Sequence, residues 1–370
     1  MQGFIPSEAE VAEVEGFINR LKDKLHRFYR ENGLEVEVYD VGSTAKGTFV
    51  SGDFDVDIYV MTSEPDRAYF LATHLFPHGK RKYGELLIWS FMDNRFDVDL
   101  VFARPGYVKE DTLKHPEFFR LHLTPQMKTE VVKGKAYFKT KGVYGAEVGG
   151  VTGVCIEELV RRYGSFDAVC RFLAESVEKP FVQDPVLAEP RDLLASVTPR
   201  RWRQLKEACR EYLAEKRVEY RPFSELDFRR RYSDYTVLEF TRRRDKGVDF
   251  FAAQSVAFHS ARALENLEAD AKFDFDAYVT DEKVLLALKG APTTLSARKK
   301  VCLHKRFREA VENFRKAHPD AYQHGEYVCA EVSRKFVNPL EAYIDTIKKR
   351  MEERGYKHIW AKFCEVKFIK

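Results

Sequence analysis

The stretch that most constrains the fold of this chain runs from residue 42 to residue 60. It begins with Gly42 and Ser43, continues through a loop rich in glycine and threonine, and reaches Asp55 and Asp57 at the start of an apolar strand. Residues two apart on a strand point to the same face, so the two carboxylates are predicted to project together beside a loop with free backbone N–H groups. Carboxylate oxygens bind divalent cations and backbone donors bind phosphates. This stretch therefore predicts a site for a metal ion and a nucleotide triphosphate, with a solvated strand edge as the alternative.

A second acidic strand supplies a third carboxylate. Residues 85–92 and 95–102 both have strand character, and Asp93-Asn94 between them predicts a tight turn. In the second of these strands Asp97 and Asp99 share one face. A strand that returns beside the first acidic strand completes a cluster of three carboxylates. Such a cluster can hold two Mg²⁺ ions about 3.5–4 Å apart, which stabilise the attacking and leaving oxygens in phosphoryl or nucleotidyl transfer.

Length and composition are those of a multidomain globular chain. For 370 residues we expect two to three domains. No apolar run approaches the ~18 residues of a membrane span, and the first residues lack the pattern of a signal peptide. The six cysteines are scattered, without a CxxC pair or zinc spacing. They are predicted to be reduced thiols of a cytoplasmic protein.

Charge is distributed unevenly along the chain. Residues 1–200 hold 26 Lys and Arg against 31 Asp and Glu, a net charge of −5, whereas residues 201–370 hold 36 against 27, a net charge of +9. This asymmetry predicts chemistry in the N-terminal part and polyanion binding in the C-terminal part. A basic surface that is merely solvated is the alternative.

Hydrophobic periodicity predicts both helices and strands. Helices are predicted over residues 7–31, 64–76, 128–140, 154–162, 198–216, 250–269, 298–317 and 339–354. Strands are predicted over residues 34–41, 55–61, 235–240, 284–288 and 327–336. Ser7, Ser63 and Thr198 are the predicted helix caps. The strand–helix–strand order between residues 235 and 288 predicts an α/β module.

Six motifs follow one another in a characteristic order: Gly42-Ser43 with Asp55 and Asp57, Val98-Asp-Leu-Val101, Gly142-Val-Tyr-Gly-Ala-Glu147, Thr152-Gly153, Tyr163-Gly-Ser-Phe166, and Asp184-Pro-Val186 followed by Arg191. In this order the chain resembles the archaeal-type (class I) CCA-adding enzymes, the tRNA nucleotidyltransferases of the DNA polymerase β superfamily. The first motif is typical of the whole superfamily, and the later ones are typical of this branch.

The resemblance implies an α+β multidomain protein. Residues 1–125 would form a polymerase-β-like nucleotidyltransferase sheet with helices, residues 126–217 a helical central domain that binds nucleotide, and residues 218–370 a basic α/β RNA-binding body with a shortened tail. The implied reaction is addition or repair of CCA at the 3′ end of tRNA, from CTP and ATP, with two Mg²⁺ ions. The tRNA is expected to bind through its acceptor and T arms. No membrane is expected, and a homodimer is left open.

The resemblance also implies roles for individual residues. Asp55, Asp57 and Asp99 match the family's three metal-binding carboxylates. The expected nucleotide ligands are Gly42, Ser43, Lys46, Lys135, Tyr144 and Arg191. The expected RNA contacts are Arg298, Lys299, Lys305 and Arg306. Either Thr112 or His115 corresponds to the triphosphate ligands of the family's Thr-Pro-Phe-His stretch, and the motif match leaves that choice open.

The chain departs from the family pattern at two site positions. Lys46 stands where the family has arginine, and Asp55 where it usually has glutamate, which predicts altered kinetics. Three other functions stay open: an enzyme on the same scaffold that tails another RNA, a nucleotidyltransferase that modifies a protein or small molecule, and an inactive RNA-binding protein. The basic C-terminal part argues against the second, and the intact carboxylates argue against the third.

Overall fold

The chain forms two compact units, Met1–Arg231 and Tyr232–Lys370. The computed structural model describes residues 3–83, 86–106, 110–242, 274–280, 283–289, 298–333 and 364–369. Within these ranges no helix is both long and apolar enough to cross a membrane. The three predicted domain ranges, the cytoplasmic location and the homodimer stay predictions.

The first unit contains a five-stranded mixed sheet. Its strands are β1 (Glu37–Val41), β2 (Val56–Met61), β3 (Lys80–Tyr83), β4 (Leu87–Asp93) and β5 (Phe96–Ala103). Their order is β1-β2-β5-β4-β3, with β2 and β5 parallel and the other neighbours antiparallel. The predicted β4–β5 turn is confirmed, with Asn94 at a positive φ of 55°. Strand β5 lies in the middle of the sheet and is buried at every position except Asp97.

Nine helices are described in the first unit: α1 (Glu8–Glu31), α2 (Gly42–Lys46), α3 (Pro65–Leu75), α4 (Glu110–His122), α5 (Pro125–Thr140), α6 (Gly153–Tyr163), α7 (Phe166–Glu175), α8 (Pro199–Glu215) and α9 (Glu225–Arg231). Helices α1 and α3 pack on the sheet in one apolar cluster, and α4 to α8 supply most of a second. A hydroxyl that accepts the N–H three residues on begins α1, α5, α6, α7 and α8. The predicted caps Ser7 and Thr198 are thereby confirmed.

Several local predictions in this unit are wrong. Residues 42–46 form the short helix α2 instead of a loop. Ser63 does not cap α3, because Pro65 occupies the first turn and places Glu64 at the cap position. Helices α4, α7 and α9 and strand β3 were not predicted. Strand β3 reads Lys-Arg-Lys-Tyr, without the apolar alternation that marks a strand.

The second unit contains two antiparallel sheets. Strands β6 (Thr236–Arg242), β7 (Asp274–Val279), β8 (Lys283–Lys289) and β12 (Cys364–Ile369) form one, in the order β12-β6-β8-β7. Strands β9 (Arg298–His304), β10 (Tyr322–His324) and β11 (Tyr327–Ser333) form the other, in the order β10-β11-β9. Helix α10 covers Arg308–Ala317. The strands predicted near residues 235, 284 and 327 are confirmed.

Two predictions for the second unit are corrected. Strands β6 and β8 are antiparallel neighbours, whereas a strand–helix–strand unit of the α/β type would make them parallel. The basic helix predicted over residues 298–317 is a strand in its first part, because residues 298–304 pair with β11. The helices predicted over residues 250–269 and 339–354 lie outside the described residues.

The prediction of reduced cysteines is wrong for one pair. Cys302 on β9 lies directly opposite Cys329 on β11, with the Cα atoms 4.1 Å apart, and the two form a disulfide. Only the strand register brings these residues together, since they are 27 positions apart in sequence. Cys155, Cys170 and Cys209 are free and buried.

Candidate functional site

The parallel pairing of β2 with β5 brings the predicted acidic residues together. Asp57 lies directly opposite Asp99 in the strand register, and Asp55 immediately precedes β2. One carboxylate oxygen from each of the three residues lies within 4.8 Å of the others. We call these three residues the acidic triad. In the part of the chain that the structure describes, no other group of acidic, histidine or cysteine side chains converges in this way.

Burial and mutual repulsion disfavour the charged forms of the carboxylates in the acidic triad. Burial, followed by the charges of Asp55 and Asp99, raises the pKa of Asp57 to about 7. Burial and the charge of Asp99 also raise the pKa of Asp55. Asp99 is only 8% exposed, and its Oδ1 accepts no hydrogen bond from the described residues. Three crowded carboxylates with one unsatisfied buried oxygen fit a divalent cation, which binds such oxygens and lowers their mutual repulsion.

The second oxygen of Asp99 has a cationic partner that the sequence did not reveal. Lys82 on β3 donates from Nζ to Asp99 Oδ2 at 2.7 Å. Nothing in the local sequence marks Lys82, because the contact joins two residues that are 17 positions apart. Lys82 is therefore paired with one carboxylate of the acidic triad, Asp99.

Gly42 allows the chain to pass close to the acidic triad. Its φ is +73°, and a Cβ placed on it would lie 2.2 Å from Asp57 Oδ2. A side chain here would meet both an unfavourable backbone conformation and a carboxylate. Glycine is thus required at the junction of β1 and α2. Ser43, the next residue, is partly buried, and its contact with phosphate stays a prediction.

A cavity of about 610 Å³ opens beside the acidic triad. The predicted site residues that line it are Gly42, Lys46, Asp57, Asp99 and Arg191. Thr112 and His115, one turn apart on α4, both line it as well, so each candidate for the triphosphate ligand faces the same space. Of the predicted residues in this unit, Ser43, Asp55, Lys135 and Tyr144 do not line the cavity.

A buried carboxylate orients two of the residues that line this cavity. Asp184 is 1% exposed, and its Oδ1 lies 3.0 Å from His115 Nε2. Its Oδ2 lies 3.7 Å from Nη1 of Arg191. Asp184 thereby connects α4 with the irregular segment that carries Arg191. It belongs to the Asp-Pro-Val motif, which is the signal that could have identified it.

The two lysines predicted to bind triphosphate lie in a buried cluster. Lys46 Nζ lies 2.6 Å from Glu157 Oε2, and Lys135 Nζ lies 2.7 Å from Glu157 Oε1. Thr48 donates to the same carboxylate and accepts from Lys135. We call these four residues the lysine cluster, and none is more than 5% exposed. Sequence reasoning missed Glu157, whose contact with Lys46 spans 111 positions of the chain.

Two members of the lysine cluster, Glu157 and Lys135, have pKa values shifted by their surroundings. Burial disfavours the charge on Glu157, but Lys135 and Lys46 outweigh this effect and lower the pKa of Glu157 to about 2. Burial lowers the pKa of Lys135 to about 8, against the attraction of Glu157. The side chains of Lys46 and Lys135 share this one fully buried carboxylate.

Tyr144 and Lys135 approach each other at Gly153. A Cβ on Gly153 would lie 2.9 Å from the Tyr144 hydroxyl oxygen and 3.1 Å from Lys135 Cε. The Lys139 ammonium lies 5.4 Å from the centre of the Tyr144 ring. The motifs around residues 142–147 and 152–153 are therefore adjacent in space, although their role toward a nucleotide stays a prediction.

The four predicted RNA contacts lie in the second unit. Arg298 is exposed and pairs with Glu331 at 3.9 Å. Arg306 is exposed, and its guanidinium lies 4.7 Å from the centre of the Phe307 ring. Lys305 is partly buried, and the side chain of Lys299 lies outside the described part of the chain. Their contact with RNA stays a prediction.

Comparison with known proteins supports the motif resemblance. The CCA-adding enzyme of Thermoplasma acidophilum is 29% identical over 215 residues, which cover 53% of this chain and 49% of that protein. The chain resembles archaeal CCA-adding enzymes. The CCA-adding enzyme of Haloarcula marismortui is 27% identical over 248 residues, which cover 58% of this chain and 52% of that protein. The resemblance predicted from the motifs is thereby confirmed.

This chain spans about half the length of the curated CCA-adding relatives that it matches. No protein-family model matches it. Among solved structures, a cytoplasmic RNA terminal U-transferase superposes with a TM-score of 0.46 and 13% identity, covering 57% of this chain and 89% of that chain. This structural likeness is too distant to add to the sequence match with the CCA-adding enzymes.

Proposed function

We propose that this chain is a template-independent nucleotidyltransferase that adds C and A, from CTP and ATP, to the 3′ end of tRNA. The observation that supports this best is the acidic triad, two members of which line a cavity shared with Arg191. The sequence similarity to CCA-adding enzymes supports this reaction among those that such a site could perform.

Asp55, Asp57 and Asp99 are the residues that would hold two Mg²⁺ ions. Bound there, these ions would lower the pKa of the attacking 3′-hydroxyl and neutralise the triphosphate. The unsatisfied Oδ1 of Asp99 is a ready ligand, since no described residue donates to it.

The other residues of the site would position the substrates. Asp99 would accept the proton of the RNA 3′-hydroxyl as that oxygen attacks the α-phosphate and pyrophosphate leaves. Lys46 would present positive charge to the triphosphate from the cavity wall, held there by Glu157. Arg191 would contact the incoming base, held by Asp184. The contribution of these residues is orientation and charge stabilisation.

The second unit would bind the RNA. Arg298, Lys299, Lys305 and Arg306 are the proposed contacts with phosphates of the tRNA acceptor and T arms. Helical RNA is recognised mainly by its shape and its backbone, so this binding should weaken strongly as salt increases.

An incorporation assay tests the proposal. The protein is incubated with tRNA transcripts that lack CCA, CA or only the terminal A, together with Mg²⁺ and each labelled nucleoside triphosphate in turn. We expect CMP on the first two transcripts, AMP on the third, and no product from Asp57→Asn. Incorporation of UMP or GMP instead, or product only on other RNAs, would replace CCA addition by a different tailing reaction. No incorporation into any RNA would reject the proposal.

A further inference from the structure

Lys82 is a lysine at the sheet edge whose side chain reaches the acidic triad. It lies on β3, the last strand of the order β1-β2-β5-β4-β3, and its ammonium donates to Asp99 Oδ2 at 2.7 Å. The Lys82 side chain is 33% exposed and that of Asp99 is 11% exposed. The bond is therefore partly shielded from water at Asp99 and open to solvent at Lys82.

The strand register explains why this lysine makes the contact. Across β4, Asp99 is in register with Ser90, and Ser90 is in register with Lys80. Lys82 follows Lys80 by two residues, so both lysines lie on the same sheet face. Lys82 lies on the diagonal from Asp99 across β4 and is partly buried, whereas Lys80 is exposed. These two residues form a matched pair on one strand, of which Lys82 contacts the acidic triad.

The charge of Lys82 acts on more than one carboxylate. Burial lowers the pKa of Lys82, but its bond to Asp99 and the charges of Asp99, Asp97 and Asp55 outweigh burial and raise the pKa. The same ammonium favours the ionised forms of Asp55 and Asp57. Lys82 is thus a counter-ion of the acidic triad as a whole.

We propose that Lys82 is a positioning residue that holds Asp99 in the metal-free protein and competes with a divalent cation for Asp99 Oδ2. This inference rests on the metal site of the proposed function. A cation such as Mg²⁺ binds an oxygen at ~2.0–2.1 Å, and a charged ammonium on the same oxygen would repel it. The four-carbon stem of lysine is flexible and allows the ammonium to withdraw toward solvent. Loss of the Lys82 charge should therefore tighten cation binding and destabilise the metal-free protein.

A direct titration with Mn²⁺, without nucleotide or RNA, tests the competition. Dissociation constants are measured by calorimetry for the wild type, Lys82→Met, Lys82→Arg, Lys80→Met and Asp99→Asn. We expect Lys82→Met to bind Mn²⁺ about tenfold more tightly than the wild type, which corresponds to ~1.4 kcal/mol. Lys82→Arg, which keeps the charge, and Lys80→Met should remain within about twofold of the wild type. Asp99→Asn should bind much more weakly.

Thermal unfolding provides the second readout. In EDTA, Lys82→Met should unfold at a lower temperature than Lys80→Met, and saturating Mn²⁺ should raise its midpoint by more than that of the wild type. If Lys82→Met does not fold, Lys82→Gln is measured in the same way.

The possible failures are distinguishable. In one case Asp99→Asn loses Mn²⁺ binding, but Lys82→Met binds Mn²⁺ no more tightly than Lys80→Met does. This result would overturn the proposed competition between Lys82 and the cation, and the metal site itself would still be supported. An absence of Mn²⁺ binding in the wild type and in Lys82→Met would overturn both the metal site and the role of Lys82.

Discussion

The acidic triad and the lysine cluster lie in the same unit and differ in how completely their charges are compensated. In the acidic triad, three carboxylates converge, and Asp99 Oδ1 has no donor among the described residues. In the lysine cluster, both oxygens of Glu157 accept hydrogen bonds from buried ammonium groups, and Thr48 completes the arrangement. One cluster is short of positive charge, and the other is fully hydrogen-bonded at its carboxylate.

This difference distinguishes carboxylates that can still bind a cation from a carboxylate, Glu157, whose partners are all present and which joins three helices. An uncompensated buried charge lowers stability, and such charges are found mainly at functional sites. A buried carboxylate with all its partners present fixes the segments that supply those partners. Here Glu157 joins α6 to α2, which carries Lys46, and to α5, which carries Lys135. Variants in the two clusters should therefore change different properties.

The largest expected effect is on catalysis, from Asp57→Asn. Loss of one metal-binding carboxylate should reduce nucleotide incorporation by roughly 10²–10³-fold or more. The free energy of unfolding should stay constant or increase, because the substitution removes one of three crowded like charges. Incorporation rates and urea unfolding measure the two effects. Asp97→Asn, on the exposed position of β5, is the matched control. Its charge acts on Lys82, but it is not a proposed metal ligand, so it should change both properties far less. A marked loss of stability in Asp57→Asn would contradict the contrast between the clusters.

The opposite result is expected for Glu157→Gln. Removal of this carboxylate leaves two buried lysines without their shared partner, which should lower the free energy of unfolding by about 3–5 kcal/mol. Urea unfolding at pH 7 measures the change. Glu158→Gln is the control: Glu158 is equally buried, but its partners Arg161 and Arg162 have side chains about one-third exposed, at 30% and 33%. Water can solvate those arginines, so the control should lose clearly less. Equal losses would mean that the cluster has no special role in stability.

The acidic triad and the lysine cluster also differ in how much of each could be predicted from the sequence. Asp55 and Asp57 follow from strand periodicity, and the acidic strand that carries Asp97 and Asp99 is a second local signal. The choice of Asp99 over Asp97 came from the family resemblance. Glu157 contacts Lys46 across 111 positions, and Lys82 contacts Asp99 across an intervening strand. Such contacts depend on packing and register, which no local pattern encodes.

In the second unit, pairing between distant strands also determined secondary structure that the local sequence did not predict. The basic residues from 298 onward have helical composition, and α10 confirms a helix at Arg308–Ala317. Residues 298–304 form β9 because they pair along their whole length with β11. Tertiary pairing overrode the local preference.

Gly42→Ala is expected to have a smaller effect, which changes both the stability of the fold and the activity of the acidic triad. The φ of +73° costs an alanine about 1–2 kcal/mol, and its Cβ would lie 2.2 Å from Asp57 Oδ2. Gly52→Ala is a matched control, since its φ is +71° and no atom lies within 4 Å of the added Cβ. Both variants should lose similar stability from the backbone, but only Gly42→Ala should also weaken Mn²⁺ binding and nucleotide incorporation. Equal Mn²⁺ affinity in the two variants would show that Asp57 can move away without cost.

The smallest expected effect is the pH dependence of the lysine cluster. The pKa of Glu157 is lowered in the folded protein to about 2, below its usual value of 4.5. A lowered acidic pKa stabilises the fold above the usual value, and this stabilisation is lost as the pH falls toward the folded value. From pH 7 to pH 4 the wild type should lose about 1 kcal/mol of stability from this group, and Glu157→Gln should not. The gap between the two proteins should therefore narrow as the solution is acidified, whereas a constant gap would mean that folding does not shift the pKa of Glu157.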